Sequence, residues 1–572
     1  MAFIRTVKTR SSSGQVHEYV RIVEAYFEAG QRKQRVLANL GNLVSLRKDI
    51  KQIVKGLLRV TGERPLLFKE DLQNERVQEY GLVYVVQKLW GYLELGEAIS
   101  KSLKAQKVQL DYERWIKMMV TNKLSDPTSK LGILEWLKGV WWPDHGFAPQ
   151  LFNESLAPEE QEKLLKKEVM KFYRALDHLL KMKKPLEKHL YLRLRDLFSL
   201  KVDLVFYDVT SSYFEGQGPA SLAKEGYSRD NEPGKKQVLI GLILCNSLPI
   251  GHEVFEGNRV DKKTLKEILA KLKEEFEIDR CILVGDRGLI SKENLEELEK
   301  QDFESILALR KRRNREVKKV LKEGSPIYCR LNEELEYREV KKEDGLRYIL
   351  CRNPEVALSQ HRERQEDLAY LQAQLEQLKE KVASQKRPAL KRVIRQVEEI
   401  LAHRHGHRFF DYRLEEKGRA LTYFRKEEAL ALEKELDGLY ILRTREPELE
   451  AVEIIQAYRD LADVERAFRT MKSVLDLRPF FHRTEDRVRA HVFICVLAYL
   501  LEKLMEKALQ RAQMPLSAEK ALSSLKQMGV AVMKVGQESY GYVSEPTYRQ
   551  RQVLAALDIP LPSRVLVPQK LG

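Results

Sequence analysis

Over the first sixty positions, apolar and polar residues alternate in short runs, FIRTVKT, EYVRIVEAYF and RVLANLG, broken at SSSG and EAGQ. A period of two with turn residues between the runs predicts a small antiparallel sheet, a basic β region over residues 1–65. From Asp71 to about Leu200 the period lengthens to that of an α-helix, as in VYVVQKLWGYLELGEAI, DYERWIKMMVTNKL and VMKFYRALDHLL. Residues 66–200 therefore read as a helical region, expected to be DNA-binding in view of the chain's basic charge. Asp126-Pro127 before TSKLGILEWLKGV supplies an N-cap and a proline at the first helical position. Trp141-Trp142 closes a helical core, or else is exposed and stacks on a base.

At Val202 the pattern changes to strands. VDLVFYD reads as a buried strand, and KQVLIGLILC with LPIGHEVFEG as a hairpin. A helix over Asp261–Phe276, the strand CILVGD, the capped helix SKENLEELEK and the strand ESILALR follow. This β-β-β-α-β-α-β order predicts an α/β fold with a ribonuclease-H-like mixed sheet, its first part over residues 201–310. The rhythm then breaks. Residues 311–436 read as a β-rich insertion, with short strands in PIYCRL, LEYREV and LRYILCR. Leu368, Leu371, Leu375, Leu378 and Val382 recur at three- and four-residue steps, the seam of a coiled-coil hairpin over about 355–402. Leu390, Val393, Ile394, Val397, Ile400 and Leu401 mark its returning helix, and the sheet is expected to resume near DYRLEEKGRALTYF. The core's second part spans 437–512: the strand DGLYILRT, a single helix over Glu448–Val474, and another over Glu485–Arg511. Residues 513–572 read as a tail, first helical and then irregular.

Composition narrows the function. The 572 residues, 43% of them hydrophobic, suffice for two to four domains with their own cores. Lys and Arg number 101 against 85 Asp and Glu, a net charge of +16 that points to a polyanionic partner. Nucleic acid is the commonest such partner; ribosome-bound and anionic-membrane proteins share the signature. The first sixty residues carry twelve basic side chains against four acidic, and Arg310–Lys322 carries eight basic residues, among them Arg310, Arg312 and Arg313. Each segment is either a DNA contact or a solvated basic face. The five cysteines lack metal-ligand spacing and three sit in apolar runs, which suits a reduced, cytoplasmic protein. The longest apolar run, Val492–Leu501, is too short to span a bilayer. No GxxxxGK[ST] loop is present, so no nucleotide cofactor is expected. His403, His405 and His407 look zinc-like but lack a closed four-ligand pattern.

The candidate chemistry lies in carboxylates at strand ends. Asp208 falls in YDVT and Asp286 in VGDRG. On a helix, residues seven apart share one face, so Tyr458, Glu465 and Lys472 form a stripe. In a ribonuclease-H-like sheet the first strand is central, the fourth lies beside it, and the closing helix crosses their ends. Asp208, Asp286 and Glu465 could then converge. Three carboxylates at one point repel unless divalent cations neutralise them. Such oxygen ligands suit Mg²⁺ or Mn²⁺, two ions serving an in-line phosphoryl displacement. Taken singly, Asp208 reads equally as a turn cap and the stripe as a solvated face. Asp279, Asp302, Glu453, Asp460 and Asp463 are alternative acids. Thr210 either steadies a metal-bound water or is a plain strand residue. Arg287 and Gly288 either position a phosphate or form a turn.

YDVTSSYFEG, VGDRGLIS and the spacing Y-x6-E-x6-K before RPFFHRTEDRVRAHVFICVLAYLL resemble the DDE transposases of bacterial insertion sequences, in the superfamily named for its YREK signature. NKLSDPTSKLGILEWL, KFYRALDHLL and GYSRDNEPGKKQVLIGL extend the likeness over most of the chain. The resemblance implies that Asp208, Asp286 and Glu465 bind the catalytic metals and that Tyr458 and Lys472 contact phosphates near the transposon end. It implies cleavage at each element end, attack of the freed 3′-hydroxyl on target DNA, and a homodimer holding two double-stranded ends. One position departs: Leu461 stands where the signature has Arg. Arg469 is the expected substitute, and Arg466 the next. The competing readings are a nuclease without transfer activity and a domesticated, non-catalytic DNA-binding protein.

Overall fold

The computed structural model describes every residue except 1, 13, 63–72, 143–156, 199–203, 261–262, 279–280, 287, 289–290, 302, 312–313, 386–388, 416–419, 536–537 and 567–572. Two compact units divide the chain, one of Met1–Gln78, Val530–Ser544 and Ser563–Gly572, the other of Glu79–Gly529 and Glu545–Pro562. The first unit opens with β1 (Ala2–Arg10), β2 (Val16–Glu28) and β3 (Gln31–Asn42), an antiparallel sheet in that order. Ala29 and Gly30, both at positive φ, make the two-residue turn between β2 and β3. The alternating pattern stops at Asn42. Leu43–Thr61 is a helix, not a further strand, begun by the Asn42 side chain accepting from Val44 N–H and ended at Gly62. Its apolar residues Leu46, Ile50, Ile53 and Leu57 recur at steps of three and four. β4 (Gln73–Glu79) follows.

The second unit is built on one nine-stranded mixed sheet. Its strands are β5 (Leu204–Tyr213), β6 (Gln237–Cys245), β7 (Leu248–Glu256), β8 (Ile282–Gly285), β9 (Glu304–Ala308), β10 (Cys329–Arg330), β11 (Glu336–Lys341) and β12 (Arg347–Arg352), joined by Leu439–Thr444. β5 is antiparallel to β6 and β6 to β7; β5 runs parallel to β8, and β8 to β9. The first five strands thus stand in the order third, second, first, fourth, fifth. Along β5, Val205, Tyr207 and Val209 pack into a core with the helix Leu265–Glu274 through Ile268, Leu269 and Leu272. The pleat sends Asp208 and Thr210 to the opposite face.

The short strands expected as a separate β insertion instead extend this sheet. β12 pairs antiparallel with Leu439–Thr444, which pairs in turn with β9. The helical hairpin leaves the sheet at Asn353, which caps Pro354–Ala383, and returns through Leu390–Ala402. All five seam residues are buried, against Val393, Val397 and Leu401. DYRLEEKGRALTYF does not resume the main sheet. It forms a separate two-stranded hairpin, β13 (Phe410–Glu415) and β14 (Ala420–Arg425), because Phe410 and Leu421 find their apolar partners on the seam. The strand Leu439–Thr444 is therefore β15. A paired Arg364–Asp437 contact, at 2.6 and 2.5 Å, ties the root of the hairpin to the turn before β15. Trp141 and Trp142 are buried core residues. The tail expected to be irregular supplies β16 (Gly529–Val535), β17 (Glu538–Val543) and β18 (Val565–Leu566), which join β4 in the order β18-β17-β16-β4. It also forms the helix Tyr548–Ala556, started by a Thr547/Gln550 capping box.

Candidate active site

The register of β5 against β8 matches Tyr207 with Gly285, and an aspartate follows each. Asp286 lies just past the end of β8. Asp208 lies inside β5, which runs on to Tyr213 because it keeps pairing with β6, and not at a strand end as the sequence suggested. The face of β5 that carries Asp208 is crossed by the helix Ala462–Ser473. That helix buries Val464, Ala467, Phe468 and Met471, and carries Glu465, Arg469 and Lys472 on its other positions. Asp208, Asp286 and Glu465 line one cavity of about 320 Å³, together with Thr210, Arg229, Arg469 and Lys472.

Burial is the main reason the Asp208 carboxyl is pushed up to about 7; Asp286 and Glu465 add to the rise, whereas the Val209 N–H and Arg229 oppose it. The Val209 N–H donates to Asp208 Oδ1 at 2.7 Å. Among the described residues no three His, Cys, Asp or Glu side chains are drawn up as a closed ligand set. The three carboxylates share a cavity, and they are the groups there that could hold a divalent cation. Lys472 Nζ donates to Thr210 Oγ1 at 2.7 Å and to Asp230 Oδ1 at 2.8 Å. Burial lowers the affinity of Lys472 for its proton, and Asp230 works against that loss. Arg478 Nη1 reaches the same Asp230 oxygen at 2.5 Å. A cavity that combines oxygen-only donors with three cationic side chains can take a metal-bound phosphate.

Arg229, Asp230 and Arg478 were not among the sequence candidates. The legible signal was an Arg-Asp pair in the loop GYSRDNEPGKK between two buried strands. The predicted stripe holds only in part. A turn at Leu461 divides the expected single helix into Ala451–Asp460 and Ala462–Ser473. Tyr458 lies on the first of these and stacks on Tyr440 at 5.8 Å, away from the residues that line the cavity. Leu461 is buried, which suits an apolar side chain where the signature has Arg. Of its two expected substitutes, Arg469 lines the cavity; Arg466 is exposed and pairs with Asp463 at 2.7 Å. Arg310 is exposed beyond β9, and Arg287, Arg312 and Arg313 lie outside the described residues, as do Asp279 and Asp302. Glu453 belongs to the capping box of its helix, and Asp460 accepts from Gln456. His403, His405 and His407 are exposed.

A transposase DDE domain matches residues 202–501. The chain belongs to the DDE transposases. The N-terminal domain of IS1634 family transposases matches residues 4–71, which makes this an insertion-sequence transposase. As a member of the family it is an enzyme of DNA cleavage and strand transfer that uses divalent metal ions. Among solved structures, a piggyBac transposase synaptic complex with hairpin DNA is similar at 10% identity, with a TM-score of 0.36 over 73% of this transposase and 71% of that chain. A Mos1 transposase paired-end complex with left transposon end has 12% identity and a TM-score of 0.14, covering 32% of this chain and 68% of its own. A pre-cleavage Mos1 transpososome has 13% identity, a TM-score of 0.14 and the same coverage. No curated protein matches the transposase. Among the described residues, no helix is long and apolar enough to cross a membrane.

Proposed function

We propose that this transposase hydrolyses the phosphodiester at each end of its insertion sequence at Asp208, Asp286 and Glu465. The freed 3′-hydroxyl then attacks target DNA in the same cavity. The observation that carries the reading is that three carboxylates from β5, the end of β8 and the helix Ala462–Ser473 line one cavity. The sheet order third, second, first, fourth, fifth supports a ribonuclease-H-like core.

The donors suit two Mg²⁺ or Mn²⁺ ions, because all three are oxygen ligands that line one cavity. Such ions supply an activated water or hydroxyl and stabilise the leaving oxygen. The chain's own part is to fix the phosphate. Lys472, Arg469 and Arg229 face it as cations from two elements, and the guanidinium groups offer planar forks. Thr210 Oγ1 accepts from Lys472 Nζ at 2.7 Å and so helps to aim the ammonium. The reading includes a homodimer acting in the cytoplasm, one cavity for each of two double-stranded ends.

A labelled element end incubated with target DNA and Mg²⁺ tests the proposal. Joined products support it. Cleavage without joining favours the nuclease, and binding without cleavage the non-catalytic protein.

A further inference from the structure

We propose that Asp230 is the positioning residue for Lys472; the functional consequence rests on the assignment of Lys472 to the DNA phosphate. Asp230 stands in the loop between β5 and β6, beside Arg229 of the cavity lining. The loop is fastened to β5 by the Arg229 N–H, which donates to Ser211 Oγ at 2.8 Å. The Asp230 side chain is only 4% exposed, and a carboxylate so buried requires paired charge. Its Oδ1 accepts from Lys472 and is ion-paired with Arg478, while its Oδ2 is buried without a hydrogen-bond partner among the described residues.

A lysine ammonium is a point charge on a flexible stem, and its direction must come from its acceptors. Thr210 and Asp230 are those acceptors, one on the strand of Asp208 and one on the loop of Arg229. Arg478 explains why the pairing can serve a reaction. When Lys472 turns to a phosphate, Arg478 remains on Asp230, so no buried charge is stranded. Arg478 is itself held close, since Phe480 N–H donates to the Tyr213 carbonyl at 3.0 Å and the Glu215 N–H to the Phe480 carbonyl at 2.9 Å. Asp230 thereby couples the end of the helix Ala462–Ser473 to both strand-bound segments.

The test measures acetylation of individual lysines in the DNA-free protein by mass spectrometry, wild type against Asp230→Asn. Loss of the counter-charge should raise the rate at Lys472 about tenfold, the equivalent of one pKa unit, with Lys271 of a separate buried cluster unchanged. End cleavage by the double variant Asp230→Asn/Lys472→Ala should be no slower than by Lys472→Ala alone. An unchanged Lys472 rate overturns the proposal. So does an equal rise at Lys271, which would make Asp230 a folding residue, or an additive loss in the double variant. If Lys472→Ala itself leaves cleavage and the phosphate footprint intact, the phosphate assignment fails, while the acetylation rates still decide whether Asp230 positions Lys472.

Discussion

Lys472 Nζ donates to Thr210 Oγ1 at 2.7 Å, which bonds the last turn of its helix to the strand that carries Asp208 two residues earlier. Glu465 is seven residues before Lys472 on the same helix, so this contact helps to place the third carboxylate in the cavity that Asp208 and Asp286 line. In the proposed function a cation and an anion two turns apart on one helix face are then used together, Glu465 for metals and Lys472 for phosphate.

Arg469 shares that cavity and Arg466 does not. Arg469→Ala is expected to lower end binding and cleavage together, by about ten- to a hundredfold, the worth of a charge-assisted hydrogen bond. Arg469→Lys should recover part of the loss, and Arg466→Ala should stay close to wild type. Phosphate-interference footprinting at the transposon tip checks this; an unchanged footprint for Arg469→Ala would remove Arg469 from the phosphate site.

The segment after β9 folds into a helix, Arg315–Leu321, that buries Val317 and Val320 and leaves Arg315, Lys318, Lys319 and Lys322 exposed. If these four bind DNA, replacing them with Gln should flatten the dependence of log K on log salt by about 0.9 for each phosphate no longer neutralised. A slope equal to that of the wild type would identify the helix as a solvated face.

Stability should depend on a second charge cluster, buried outside the lining of the carboxylate cavity. Glu187 is 2% exposed and meets Lys271 at 2.7 Å, Lys183 at 3.3 Å and His252 at 2.8 Å. Burial alone would raise its carboxyl, but Lys183, His252 and Lys271 outweigh burial and hold it well below the usual carboxylate range. Lys183 and Lys271 keep Glu253, at 2.7 and 2.9 Å, and Lys271 keeps Glu275 at 2.9 Å. Glu187→Gln should therefore cost about 1.5–3 kcal/mol, the worth of the charge-assisted bonds it removes. A depressed carboxyl stabilises the fold above its unfolded pKa and loses that contribution as the pH falls through the folded value. The difference between wild type and Glu187→Gln in urea unfolding should therefore be full near neutrality and shrink in acid below the usual carboxylate range. A difference independent of pH would contradict this.

Asp208 and Asp286 were legible because buried parallel strands read as unbroken apolar runs, and each run stops at an acid. The hairpin seam was legible for a similar reason, since its leucines keep one period for the length of the helix. What local pattern could not show was pairing across long separations. The insertion strands carry the same period whether they form their own sheet or, as here, join β15. Leu461 has a helical backbone and still divides the helix, so no breaker residue marked the turn. Asp230 was missed because its role comes from Lys472 and Arg478, more than 240 residues further along the chain.

The central claim is that Asp208, Asp286 and Glu465 act as one metal-dependent centre. The most direct measurement is Mg²⁺-dependent cleavage of a labelled element end by Asp208→Ala, Asp286→Ala and Glu465→Ala, with end binding measured on the same preparations. The expected result is loss of cleavage in all three variants with binding nearly intact. Wild-type-like cleavage by any one of them would contradict the account.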